Sequence, residues 1–281
     1  MKVWTEVKAC LAETPADWAL WIEVFDRHGI PGTVQTDQPP TLAGYAYEPN
    51  EADLAALRLE LTSLGATSTE ILEVPEENWA ESWRQFFVPR RVGQRFVVRP
   101  TWEAYASTEG DVVLVLDPGQ AFGTGDHPTT RMCLEFLEDL ELAGKTVADI
   151  GCGSGILSVA ARLLGSGETV GVDLDPASIE SSHENADRNG VTATFMLGKG
   201  FGPLPEAAVY DIVLSNIVSA ALIGLAPEVS DRVVPGGDWV VSGIIDDNWA
   251  DVQLAAARAG FSLVSERREN NWVAAWFRRE K

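Results

Sequence analysis

Val147-Ala148-Asp149-Ile150-Gly151-Cys152-Gly153-Ser154-Gly155 joins four residues of strand character to a glycine-rich turn, and Ile156 to Leu164 follows with helical spacing. A strand, a tight turn and a helix in that order open a βαβ unit. Glycine lacks Cβ and tolerates positive φ, so such a turn lets a ligand approach the backbone closely. The spacing is G-x-G-x-G, with Ile156 where a dinucleotide fingerprint places its third glycine, and a pyrophosphate reading is weakened accordingly. By itself the turn leaves two readings open, a site for a nucleotide-like cofactor and a purely structural bend.

Downstream, apolar strands at Thr169 to Asp173, Thr194 to Leu197, Ile212 to Ser215 and Trp239 to Gly243 alternate with helical segments, the pattern of a parallel sheet covered on both faces. Ser262 to Glu269, the turn Asn270-Asn271 and Trp272 to Arg278 read as a hairpin that closes the sheet with an antiparallel strand. Asp173 ends the second strand about twenty residues beyond the glycines, where a carboxylate accepts hydrogen bonds from both hydroxyls of a ribose. Asp175, just before Pro176, is expected to cap the next helix. Asn216 follows the fourth strand at the carboxyl edge of the sheet, where open α/β sheets bind ligands. Its amide oxygen can accept from an amine and its NH₂ can donate, with a helix cap as the alternative. Taken together, Asp149 to Gly155, Asp173 and Asn216 favour a cofactor site.

Upstream of the turn, Leu116 to Thr130 carries Pro118, Gly119, Gly123, Gly125 and Pro128 between two periodic segments, and is expected to cover the cleft. His127, between Asp126 and Pro128, suits a local cap better than a general base. Residues 1 to 74 follow the order β-α-β-β-α-β, with strands at 3 to 11, 33 to 36, 44 to 47 and 69 to 74 and helices at 15 to 28 and 51 to 64, which is the order of a ferredoxin-like domain. Residues 75 to 87 then read as a linker helix with Trp79 and Trp83 on one face. Residues 88 to 281 make the larger domain.

Composition narrows the partners. A net charge of −21 opposes a polyphosphate backbone and favours cationic partners, so direct DNA binding is disfavoured. In residues 1 to 74 four basic side chains stand against twelve acidic ones, a net of −8, which argues against an RNA-binding module. The local exception is the set Arg84, Arg90, Arg91, Arg95 and Arg99, free of acids from 84 to 99, which either pairs with the protein's own acids or touches RNA. Cys10, Cys133 and Cys152 have neither disulfide nor zinc spacing, and no metal site is expected. The amino terminus lacks an apolar signal core, and the longest apolar stretch, Ile212 to Ala226, is broken by Ser215, Asn216 and Ser219. A cytoplasmic protein away from membranes is expected.

These blocks together resemble one family, the ribosomal protein methyltransferases called PrmA, which modify ribosomal protein L-eleven of the large subunit. The resemblance covers nearly the whole chain: the amino domain, the linker with Asn78 and Trp79, the loop Ala121-Phe122-Gly123-Thr124-Gly125 to Pro128-Thr129-Thr130, the glycine turn, Asp173 and the Asn216 motif. It implies a Rossmann-like class I methyltransferase domain with a small ferredoxin-like α+β amino-terminal domain that recognises the substrate. It implies S-adenosyl-L-methionine as cofactor, contacted by Phe122, Thr130, Gly151, Gly153, Asp173 and Asn216, with Asn216 also serving catalysis. The activity implied is methylation of the N-terminal α-amine and lysine ε-amines of a basic ribosomal protein. The family motif continues Ile-Leu-Ala after the asparagine, whereas this chain has Ile217-Val218-Ser219, a difference that touches the substrate pocket more than the reaction. Two alternatives stand beside it: a lysine methyltransferase of a non-ribosomal protein, and a nicotinamide-dependent oxidoreductase, which the missing third glycine and the Asn216 motif disfavour.

Overall fold

A computed structural model describes residues 3–15, 18–30, 33–37, 39–47, 49–75, 87–117, 123, 125 and 127–281. The chain divides into two compact units, Met1–Phe87 and Val88–Lys281.

The first unit holds β1 (Val3–Cys10), α1 (Ala19–Arg27), β2 (Thr33–Asp37), β3 (Pro40–Tyr47), α2 (Glu51–Leu64) and β4 (Ser68–Pro75). Its sheet runs β2-β3-β1-β4 with every pairing antiparallel, a ferredoxin-like arrangement. The side-chain period of two shows in β1, where Val7 and Ala9 are buried while Glu6 and Lys8 are not. Val7, Ala9 and Leu42 pack with Phe25 of α1 and Leu57 and Leu61 of α2. Asn50 caps α2 by accepting the Ala52 N–H at 2.8 Å, and Gly65 ends it in the left-handed region. On the sheet's other face the Tyr45 hydroxyl donates to Glu6 at 2.7 Å. Burial and the Glu6 carboxylate push that phenol up to about 12.

The second unit opens with a small sheet, β5 (Arg90–Val92), β6 (Phe96–Arg99) and β7 (Val112–Val115), in the order β5-β6-β7. Sequence periodicity predicts no strand here. The apolar runs were visible, but at three and four residues they are too short for periodicity to classify. The hairpin is anchored from outside: the backbone N–H groups of Gln94, Arg95 and Phe96 all donate to the Glu138 carboxylate. Arg91 pairs with Asp111 at 2.6 Å, and Arg99 donates to the carbonyls of Pro100 and Glu103. The Thr108 backbone N–H and the Arg91 guanidinium hold the Asp111 carboxyl well below the usual carboxylate range. Arg91 of the basic run therefore meets one of the protein's own acids.

Seven further strands, β8 (Val147–Ile150), β9 (Thr169–Asp173), β10 (Thr194–Leu197), β11 (Tyr210–Asn216), β12 (Val233–Ile245), β13 (Phe261–Glu269) and β14 (Trp272–Arg279), form one sheet in the order β10-β9-β8-β11-β12-β14-β13. β8 to β12 pair in parallel, and β14 lies antiparallel to both β12 and β13. The helices are α3 (Pro128–Asp139), α4 (Ile156–Leu163), α5 (Pro176–Arg188), α6 (Ser219–Arg232) and α7 (Trp249–Arg258). Two apolar clusters, one around Phe136 and Leu157 and one around Trp239 and Leu222, cover opposite faces. All four residues of β8 are buried, as expected of a strand roofed on both sides. The hairpin turns at Asn270, the one non-glycine residue with positive φ among those described, a role asparagine tolerates.

From β8 the chain winds outward through β9 and β10, then returns to place β11 on the other side of β8. The loops after β8 and β11 leave the sheet in opposite directions, and a crevice opens at their carboxyl ends. Asp149 to Gly155 and Asn216 lie there.

Candidate functional site

In the turn after β8, Gly151, Gly153 and Gly155 all have positive φ, at +82°, +54° and +75°. Side-chain-bearing residues adopt that region at a cost, and at Gly151 space forbids one as well: a methyl there would stand 2.3 Å from Ile217 Cγ2. Neighbouring polar groups fix the turn. Ser182 Oγ donates to the Gly153 carbonyl at 2.8 Å, and Asn185 Nδ2 donates to the Ser154 carbonyl at 2.9 Å. Ser154 Oγ donates to the Gly123 carbonyl at 2.6 Å, tying the turn to the preceding loop.

Asp173 stands at the end of β9, as its place in the sequence required. Its Oδ2 accepts the Gly153 N–H at 2.9 Å and its Oδ1 accepts the Asp175 N–H at 3.0 Å. A carboxylate has about four acceptor positions, so these bonds orient it and leave about two for a ligand. Asp175 caps α5 by accepting the Ala177 N–H at 3.0 Å, the role expected of it.

Asn216 ends β11. Its Nδ2 donates to Thr130 Oγ1 at 3.3 Å, while its Oδ1 is buried and has no partner among the described residues. Leaving a buried acceptor unsatisfied costs about 1 to 3 kcal/mol, which a donor entering the cleft recovers. Thr130 is fully buried and braces Asn216. His127 caps α3, its Nδ1 facing Thr129 Oγ1 at 2.7 Å and the Thr129 N–H at 3.4 Å. Burial, with the nearby Arg131, lowers its pKa below the usual value, so the ring is neutral at pH 7 and suited to accepting the cap bond.

These residues share an open cleft of about 1570 Å³, whose walls include Gly151, Gly153, Asp173 and Asn216. Phe122 lies outside the described residues, as do Asn78, Trp79, Trp83, Arg84, Thr124 and Asp126. Sequence reasoning overlooked other contributors. Ile217 fills the gap between Gly151 and Gly243, and Trp272, the first residue of β14, meets the His127 ring edge-on at 5.0 Å at the cleft wall. The loop Gly198 to Gly200 after β10 forms a further wall. Only the last carried a sequence signal, two glycines just beyond a strand. The first two depend on which loops the fold brings together.

The chain belongs to the family described as ribosomal protein L11 methyltransferase (PrmA), whose model matches residues 23–280. It is 39% identical over 253 residues to the ribosomal protein L11 methyltransferase of Symbiobacterium thermophilum, covering 85% of this chain and 83% of that one. With the one from Pelotomaculum thermopropionicum it shares 36% identity, covering 94% of this chain and 84% of the relative. Among solved structures, the ribosomal protein L11 methylase of Lactobacillus delbrueckii subsp. bulgaricus superposes with a TM-score of 0.65 at 26% identity, covering 69% of this chain and all of that one. A methyltransferase from Pyrococcus furiosus, with a TM-score of 0.51 at 16% identity, shares the fold. The protein is accordingly a protein methyltransferase that uses S-adenosylmethionine. No helix among the described residues is long and apolar enough to cross a membrane.

Proposed function

We propose that this enzyme methylates amino groups of ribosomal protein L11, the N-terminal α-amine and lysine ε-amines, in the cytoplasm. The observation that carries the site assignment is the buried, unpartnered Oδ1 of Asn216 in the same cleft as the glycine turn and Asp173. The cofactor fits these residues. Gly151 and Gly153 would let it approach the backbone, and the acceptor positions left on Asp173 would take its ribose hydroxyls. Phe122 and Thr130 are assigned to the same site, Thr130 through its bond to Asn216.

When bound, S-adenosylmethionine supplies an electrophilic methyl on a sulfonium. The amine must present a neutral lone pair in line with it, so the protein's task is orientation. Asn216 Oδ1 accepts one amine N–H and thereby turns the lone pair toward the methyl. Depriving a lysine of its proton at pH 7 costs about 4.6 kcal/mol from a pKa near 10.4, whereas an α-amine near 7.8 costs about 1. The α-amine is the easier target, and the proton leaves to water. The amino-terminal unit captures the substrate: its net of −8 suits a basic protein. Two of the three free cysteines are buried, in keeping with a reducing compartment.

The test is incubation with cofactor and purified ribosomal protein L11, followed by intact and peptide mass spectrometry. Methyl increments on the N-terminal and lysine peptides are the expected result. An unmodified L11 alongside methylation of another basic protein would overturn the ribosomal assignment in favour of a different lysine substrate.

A further inference from the structure

Asp149, two residues before Gly151, is 1% exposed, between Gly171 of β9 and Leu214 of β11. Its Oδ2 accepts the Ser158 Oγ–H at 2.8 Å and the Ser158 N–H at 3.2 Å in the first turn of α4. Its Oδ1 is buried and without a partner among the described residues. Among the described residues, the groups acting on it from neighbouring elements offer no compensating cation. Cys133 of α3 and Cys152 of the turn are thiols that burial holds protonated, and Asp173 of β9 carries the same charge. A buried carboxylate with one satisfied oxygen and no counter-cation is costly to ionise. Burial above all, with Asp173 adding to it, pushes Asp149 up to about 7 despite the two Ser158 bonds. The residues that follow, Ile150 to Gly153, form the cleft wall.

We propose that Asp149 gives up a proton when the cationic cofactor occupies the cleft, so that cofactor affinity is linked to pH through a residue behind the glycine turn. The inference rests on the cofactor reading of the cleft. The O–H bond breaks, the pair stays on Asp149, and the proton passes to solvent. A cation in the cleft favours the ionised form, so the acid is stronger in the complex than in the free protein. Between the two pKa values the complex holds fewer protons than its separated parts, so affinity rises as pH rises toward about 7 and levels off above it. Asp149 acts through the turn and is a positioning residue.

The experiment is calorimetric titration of the full-length enzyme with S-adenosylmethionine from pH 5.5 to 8.5, in phosphate and in Tris. The different protonation enthalpies of the two buffers count the protons exchanged. Up to about one proton is released below pH 7, where the dissociation constant falls by up to about tenfold per pH unit, and the release dies away above pH 7. S-adenosylhomocysteine, which lacks the sulfonium charge, should release less. Asp149→Asn, the isostere of the neutral acid, should bind without that release. Ser158→Ala, which removes one donor from the carboxylate, should move the transition to higher pH. Should Asp149→Asn not fold, the carbonyl stretch of a protonated acid in the wild-type infrared spectrum at pH 6, lost on adding cofactor, gives the same answer. Normal binding with no proton released, equal release with S-adenosylhomocysteine, or unchanged linkage in a folded Asp149→Asn protein would overturn the proposal. Absence of any binding would instead count against the cofactor reading.

Discussion

The two sheets solve burial differently. In the first unit an antiparallel sheet shows alternating burial along β1, and its strands are joined by one hairpin, β2 to β3, and two helical crossovers through α1 and α2. In the second, β8 is buried throughout, roofed on both sides, and the order reverses beside it. Only a sheet whose winding changes direction leaves a crevice at its carboxyl edge. The residues proposed to hold the cofactor gather in the second unit for that topological reason. The first carries four basic against twelve acidic side chains in residues 1 to 74, which suits its proposed capture of a basic protein.

The largest expected effect comes from separating the two. A chain starting near Val88 should keep cofactor affinity within about threefold, yet lose methyl transfer to intact ribosomal protein. Cofactor titration beside a transfer assay at several salt concentrations makes the test, since electrostatic capture by the full chain weakens within a Debye length of about 8 Å at 0.15 M. Equal transfer by both chains would remove the capture role from the first unit.

Within the cleft, Asn216→Ala should lower turnover by roughly 10²-fold through lost orientation of the amine. Raising the pH to 9 should leave that defect in place. Recovery of wild-type turnover there would make Asn216 part of the proton path instead.

Asp173→Ala should weaken cofactor binding by about 10-fold or more, because each charge-assisted bond is worth roughly 1.5 to 3 kcal/mol. The fold should survive, since the backbone donors of Gly153 and Asp175 lie beside the open cleft. A calorimetric dissociation constant equal to that of the parent would take Asp173 out of the site.

The last pair of substitutions, read out in stability rather than in activity or binding, sharpens the contrast at one backbone conformation. Gly65 and Gly243 both have positive φ, but a methyl on Gly65 meets nothing within 4 Å, whereas one on Gly243 stands 2.3 Å from the Ile217 carbonyl oxygen. Gly243→Ala should cost about 3 kcal/mol, strain plus a backbone clash, and should disturb the loop carrying Asn216. Gly65→Ala should cost about 1 kcal/mol. Thermal unfolding of both proteins would expose the difference, and equal losses would mean that the loop yields freely around Ile217.

Much of this was legible beforehand. The strands at 147 to 150, 169 to 173 and 194 to 197 stand where their apolar runs end, and Asp175 caps where Pro176 implied. The weak points were the strands β5 to β7, too short to carry a period. The roles of Ile217 and Trp272 were also hidden: the motif after Asn216 marks Ile217 but not its fit against Gly151 and Gly243, and nothing beside Trp272 marks its contact with His127.

What the sequence determined by itself was local: the turn glycines, the helix starts, the acid after the second strand and the alternation that makes the sheet parallel. Backbone sterics and hydrogen-bond capacity act within a few residues, and a sequence displays them directly. What only the tertiary structure decided was contact across the chain. Asn216 is held by Thr130, 86 positions earlier, Gly151 is fitted to Ile217, and Asp149 is buried beside Cys133, Cys152 and Asp173 with no cation acting on it among the described residues. Burial is a property of the assembled layers, so an aspartate that reads as ordinary in the sequence acquires a proton near neutrality only once β9, β11, α3 and α4 close around it.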